Sequence, residues 1–187
     1  IPHRVKISQK KAVAANEIER PQMEIDMKTF VAVAFAALTL AGAAQAEVLT
    51  ERNLSLDIAV EAADAAVKAC AAKKFNVTVA VVDRAGVTRA VLRADRAGPH
   101  TLDSAVRKAF TAASFRAPTQ KIAENVGKNP AAAQLVSIEG LLVLAGGVPV
   151  KVGEETIGAI GVGGAPSGDI DDECARAGID AVSAKLK

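Results

Sequence analysis

The stretch from Met27 to Ala46 limits the folded form of this chain more than any other. Met27-Lys28-Thr29 makes a short positive opening, residues 30–41 form an apolar run, and Ala44-Gln45-Ala46 is a small-residue cleavage site. That order is the grammar of a secretory signal peptide. The apolar run falls short of the roughly 20 residues a helix needs to cross a bilayer, so cleavage is expected, with no stable membrane insertion afterwards. Residues 1–26 are polar and unpatterned, and are read as upstream non-native sequence or a mis-called start. The folding unit is then residues 47–187, a single domain of 141 residues exported to the periplasm or beyond the cell, long enough for one hydrophobic core.

Within that unit 17 Lys and Arg face 17 Asp and Glu, a formal net charge of zero. No basic stripe with interleaved aromatics remains to hold a phosphate backbone, so nucleic acid is not an expected partner. The unit has no Met, Trp or Tyr, three Phe, one His (His100) and two Cys (Cys70, Cys174). Few chemistries are open to such a set.

Apolar residues from Leu56 to Cys70 recur at helical spacing behind Ser55, a good N-cap. The runs 77–82 and 87–92, joined by Arg84-Ala85-Gly86, read as a β-hairpin. A loop at 95–99 leads to Thr101, a second N-cap, and Leu102, Val106, Ala109-Phe110 and Ala113 line one face of the helix it opens, to about Phe115. Pro118 fits the first turn of a short helix to about Val126, broken at 127–130; residues 131–138 are ambiguous. Three short apolar stretches, 141–144, 148–152 and 156–162, are separated by Gly146-Gly147 and Gly153-Glu154 and read as strands. A Gly-rich loop at 161–168 opens the last helix, 169–186, whose first turn carries Asp169, Asp171, Asp172 and Glu173 where the helix dipole favours negative charge. Strands grouped in hairpins, not alternating with helices, predict an α+β fold with a mostly antiparallel sheet covered by helices.

Zinc needs three or four suitable ligands, and one His with two distant Cys does not provide them. Haem needs only one axial side chain, and of the usual donors only His100, Cys70 and Cys174 are present. His100 is the first of these, in a loop bounded by Gly98-Pro99, although a lone His commonly serves as a surface or capping residue. The 161–168 loop either cradles an anionic group on its backbone N–H donors or is a tight strand-to-helix joint that needs glycine. Arg107 and Lys108 either pair with ligand carboxylates or form the wet face of their helix. Cys70 and Cys174 can bridge only if the first and last helices pack together; two buried thiols are the simpler outcome. Ser104 lies too near His100 for a catalytic triad and there is no nucleophile elbow, so no catalytic residue is assigned.

Taken together, Ala97-Gly98-Pro99-His100-Thr101-Leu102-Asp103-Ser104 with residues 107–119, followed by Gly146-Gly147-Val148-Pro149, residues 157–169 and Asp172-Glu173-Cys174-Ala175, resemble the GlcG/HbpS family of haem-binding proteins. The resemblance spans nearly all of residues 47–187. It implies a profilin-like fold with a five-stranded antiparallel sheet flanked by helices, a homo-oligomer, and haem as cofactor. It places the cofactor-binding residues at His100, Thr101, Ser104, Arg107, Lys108, Gly163 and Gly164, with His100 as metal ligand and Arg107 or Lys108 near the propionates. The expected activity is haem capture, storage or sensing, with degradation in some family members. Two other functions compete. One is an enzyme or binding protein for a small organic acid or aromatic metabolite, with His100 as general base. The other is an extracytoplasmic accessory or sensor module for a membrane partner.

Overall fold

Ser55 caps the first helix, α1 (Leu56–Ala72), its hydroxyl accepting from the Ile58 amide at 3.4 Å, and Ala59, Ala62, Ala63, Ala66 and Cys70 return every three or four residues as the buried face. The computed structural model describes residues 47–187; the expected leader at 27–46 and the segment before it lie outside the described residues. Strands β1 (Thr78–Asp83) and β2 (Thr88–Arg93) form the expected hairpin. The Asp83 carboxylate accepts from the amides of Ala85 and Val87, at 3.0 and 2.9 Å, and so organises the turn. Helix α2 (His100–Phe115) starts one residue before the predicted cap. Thr101 is already inside it, its hydroxyl donating to the Gly98 carbonyl at 2.6 Å.

Helix α3 (Thr119–Lys128) follows Pro118, and the ambiguous segment after it is a 3-10 helix, Pro130–Ser137. Strands β3 (Gly147–Val152) and β4 (Glu155–Gly163) form a second hairpin. The Ser167 hydroxyl then caps α4 (Gly168–Val182), which ends in a 3-10 turn, Ser183–Lys185.

The α+β class with an antiparallel sheet flanked by helices holds, but the sheet has four strands, in the order β2-β1-β4-β3, and not five. The expected strand at 141–144 does not form. Its Leu142 amide donates to the Thr111 hydroxyl of α2 at 2.9 Å, and the segment lies between Gly140 and Gly146, both at positive φ (+84° and +115°). A helix side chain takes the hydrogen bond that a ladder would need.

The two faces of the sheet differ in side-chain size. Val79, Val81, Ile160 and Val162 pack beneath α1 and α4. Ala80, Val82 and Ala159 pack beneath α2, against Ala105, Ala109 and Ala112. On this second face the backbones nearly touch: a Cβ at Gly161 would sit 2.2 Å from the Ala105 carbonyl oxygen and 2.5 Å from the Ala109 nitrogen. No large side chain fits between them. Of the face expected from Leu102, Val106, Ala109-Phe110 and Ala113, only the alanines are buried, while Leu102 is 47% exposed and Val106 and Phe110 are half-buried.

Helices α1 and α4 are joined by a Cys70–Cys174 disulfide with a Cα–Cα separation of 5.5 Å. This corrects the simpler expectation of two free thiols: the helices pack side by side over one sheet face and bring the two cysteines within bridging reach. The bridge closes a loop across 104 positions, and its main effect is to limit the unfolded chain. Replacing both cysteines with serine, or reducing the bridge, is expected to cost about 2–5 kcal/mol; urea melts of oxidised and reduced protein check this.

Candidate functional site

Helical spacing divides the predicted site residues between two faces of α2. His100, Ser104 and Arg107 share one flank. There His100 is exposed, while Ser104 and Arg107 are half-buried. Thr101 and Lys108 point inward with Ala105 and Ala112, and both are 1% exposed.

The outer set lies at the end of the sheet where β4 finishes. A Cβ at Gly163 would stand 2.3 Å from the Ser104 hydroxyl oxygen, so a side chain there would turn that hydroxyl out of its place. One at Gly164, a residue at φ +129°, would stand 3.1 Å from the Thr101 methyl carbon. The strand-to-helix loop thus touches the first turn of α2 directly. His100 opens that turn, with its ring over Gly98: a Cβ there would lie 2.8 Å from the imidazole Cε1. Thr101 stiffens the turn from within, sharing a hydrogen bond with the Thr78 hydroxyl of β1 at 2.7 Å. Further along the flank, Arg107 Nε lies 3.4 Å from Asp103.

Lys108 is neither on a wet face nor beside an open cleft. Its ammonium donates to Asp171 Oδ2 at 2.8 Å and to the Val162 carbonyl at 2.9 Å. The other Asp171 oxygen, Oδ1, accepts from the Ala165 amide at 3.0 Å. Asp171 is 3% exposed, although its sequence position marked it only as part of a dipole-stabilising acidic turn. Burial pushes its carboxyl above the ordinary value of 3.8, while the hydrogen bond and charge of Lys108 pull it back. The signal that would have located the pair is the period of α2: position 108 falls on the same inward stripe as Thr101, Ala105 and Ala112, and a lysine there needs a buried partner.

A separate cleft of about 350 Å³ opens beside the outer face of α2, lined by Gly86, Val106, Arg107, Phe110, Glu139 and Gly140. Among the described residues no cluster of three or more His, Cys, Asp or Glu side chains could hold a metal ion. Neither cysteine is available as a thiolate, since both are in the disulfide.

Comparison with known proteins adds a family and a set of structures. The family profile described as haem degrading protein HbpS-like matches residues 54–180. A double mutant of Streptomyces reticuli HbpS has 47% identity and a TM-score of 0.68, over 74% of this chain and 92% of that one. Klebsiella pneumoniae ORFY has 29% identity and a TM-score of 0.69, over 75% and 97%. The uncharacterized 15.0 kDa protein of the dhaT-dhaS intergenic region of Citrobacter freundii is 33% identical over 113 residues, 57% of this chain and 80% of that protein. At 24% identity, and so as a likeness of fold alone, a PduOC–haem complex matches with a TM-score of 0.62 over 69% and 94%.

The buried pair makes a stability prediction. Asp171→Ala leaves the Lys108 ammonium and the Ala165 amide without their partner and is expected to cost about 3–5 kcal/mol. Asp171→Asn keeps the shape and one of the two acceptor oxygens but leaves the ammonium without an anion, and is expected to cost less than Asp171→Ala while still destabilising. Because the folded pKa is raised, the native state holds this proton more tightly than the unfolded chain does. The carboxyl's contribution to stability is full below pH 3.8 and is lost as pH rises through the folded value. Relative to Asp171→Asn, wild type should therefore lose stability with rising pH across that window, measured by urea melts from acid to neutral pH.

Proposed function

The chain belongs to the family described as haem degrading protein HbpS-like, and from that premise we propose that it binds haem, with His100 as the residue that would ligate the iron. One observation carries the reading: the single imidazole among the described residues is exposed at the first residue of α2. The donor set fits the group. Of the side chains that serve as axial ligands, Met and Tyr do not occur in residues 47–187 and both Cys are in the disulfide. His100 is what remains.

The other groups have narrower parts. Ser104 offers a hydroxyl on the same flank and Gly164 is exposed beside it, while Gly163 is buried against Ser104 and serves the packing of that flank. Arg107, with a side chain 41% exposed, is the cation for the propionates, and it can exchange Asp103 for a ligand carboxylate at little cost because surface ion pairs are weak. Lys108 does not share that part, since its charge is spent inside the fold. When bound, haem would supply a redox-active iron; the chain's own residues bind and orient it. We place this binding outside the cytoplasm, on the leader-like residues 27–46, and in a homo-oligomer whose contacts cover the outward apolar side chains of α2, Leu102 and Phe115 among them.

A second reading, a small aromatic or other organic acid as ligand, draws on the cleft beside Phe110, whose size suits such a molecule and whose rim carries Arg107. Titrating hemin into the purified protein decides between them. The expected result is a saturable Soret shift, with His100→Ala weakening binding at least tenfold and altering the band. An unchanged wild-type spectrum overturns the haem reading, and an unaltered band in His100→Ala overturns the ligand assignment. Mass spectrometry showing a co-purified organic acid in place of porphyrin favours the second reading.

A further inference from the structure

The Lys108–Asp171 pair holds the Gly-rich loop beside its strand end and at its middle. Residues 164–167 follow the end of β4 at Gly163 and reach the N-cap of α4 at Ser167. Lys108 grips the end of β4, just before this loop, through the Val162 carbonyl at 2.9 Å. Asp171 grips its middle through the Ala165 amide at 3.0 Å. Asp171 itself belongs to α4, where the loop ends, and the 2.8 Å contact with Lys108 ties that end to α2.

The pair is also sealed. Val162 donates its amide to the Gly146 carbonyl at 2.9 Å. A Cβ at Gly146 would stand 3.0 Å from Lys108 Nζ and 2.7 Å from the Asp171 Cβ. With both side chains at most 4% exposed, each charge has the other as its counter-ion, and such a pair holds firmly to its geometry because separating it would leave a charge desolvated.

What the loop touches on its other side gives this clamp a function. Gly163 abuts Ser104 and Gly164 abuts Thr101. Thr101 in turn donates to the Gly98 carbonyl at 2.6 Å, bracing the turn that carries His100. The contacts run from Lys108–Asp171 through Gly163 and Gly164 to Ser104 and Thr101, and from Thr101 through Gly98 to the His100 ring.

We propose that Lys108 and Asp171 are positioning residues: without touching the ligand, they press the 163–165 backbone onto the first turn of α2 and so set the orientation of His100. This rests on the haem reading for its functional meaning, but its mechanical part can be tested without haem.

The experiment compares full-length mature wild type with Lys108→Met, which keeps the stem and removes the ammonium, and with Asp171→Asn, which keeps the shape and one of the two acceptor oxygens and removes the charge. All are held at a temperature where circular dichroism shows them folded. In ligand-free protein, amide hydrogen exchange at residues 98–104 and 163–167 is expected to rise at least tenfold in Lys108→Met, with exchange in β1 and α1 unchanged, and to rise less in Asp171→Asn. In hemin titrations Lys108→Met is expected to bind at least fivefold more weakly, with the Soret band displaced as in His100→Ala. Adding Lys108→Met to His100→Ala should bring no further loss, as expected of residues that act through one another.

Unchanged exchange at 98–104 in a folded Lys108→Met overturns the proposal whatever hemin does. If that variant does not fold, the same reading of Asp171→Asn decides. Raised exchange alongside a wild type that ignores hemin would retain the clamp and discard the haem reading. Raised exchange with wild-type hemin affinity and spectrum would overturn the link from clamp to His100.

Discussion

Helix α2 lies so close to β4 that the two backbones are separated by little more than a van der Waals contact. That closeness requires glycine on the strand at 161 and small side chains on the inner face of the helix. Most of what is unusual in the domain follows. A sheet packed this way has a thick side, where valine and isoleucine meet α1 and α4, and a thin side, where alanine meets alanine. Dispersion on the thin side comes from many close atom pairs instead of bulky side chains, and little room remains there for any residue to change its pose.

In such an interface a lysine is an expensive resident. Its ammonium cannot reach water, so the fold must bring it an anion, and the acidic first turn of α4 does so with Asp171. Two helices on opposite faces of the sheet are thereby tied around its end. By the same geometry the larger apolar residues of α2 are displaced to the outside, where Leu102 and Phe115 stay partly in solvent. The buried ion pair and the exposed apolar flank are two results of one close contact.

Local signals in the sequence were strong enough to locate most of the elements. Ser55 and its alanine repeat mark α1, the Arg84-Ala85-Gly86 turn marks the first hairpin, and Pro118 marks α3, each through chemistry confined to a few residues. Reasoning failed where distant segments decide. Residues 141–144 have the composition of a strand, but the Thr111 hydroxyl takes one of their amides. The face of α2 is legible only in part: Ala109 and Ala113 pack inward as expected, but Leu102, Val106 and Phe110 do not, because hydrophobic size points one way and backbone proximity the other, and a glycine some fifty positions later settles it. Of the site residues, the flank of His100, Ser104 and Arg107 is legible as a helical repeat. The burial of Thr101 and Lys108 is partly so, from the same period, and the partnership with Asp171 is not, because nothing near position 171 records what lies across the sheet. The disulfide needed the side-by-side packing of α1 and α4, which no local pattern contains.

The Cys70–Cys174 bridge encloses every strand of the sheet, together with α2 and α3, inside one covalent ring. Tension applied at the two ends of the domain would therefore peel away only the chain before position 70 and after position 174, and would then bear on sulfur instead of the β-ladders. The sheet and the His100 turn lie mechanically in parallel with a covalent strut, shielded from any pull between the termini for as long as that strut stays oxidised.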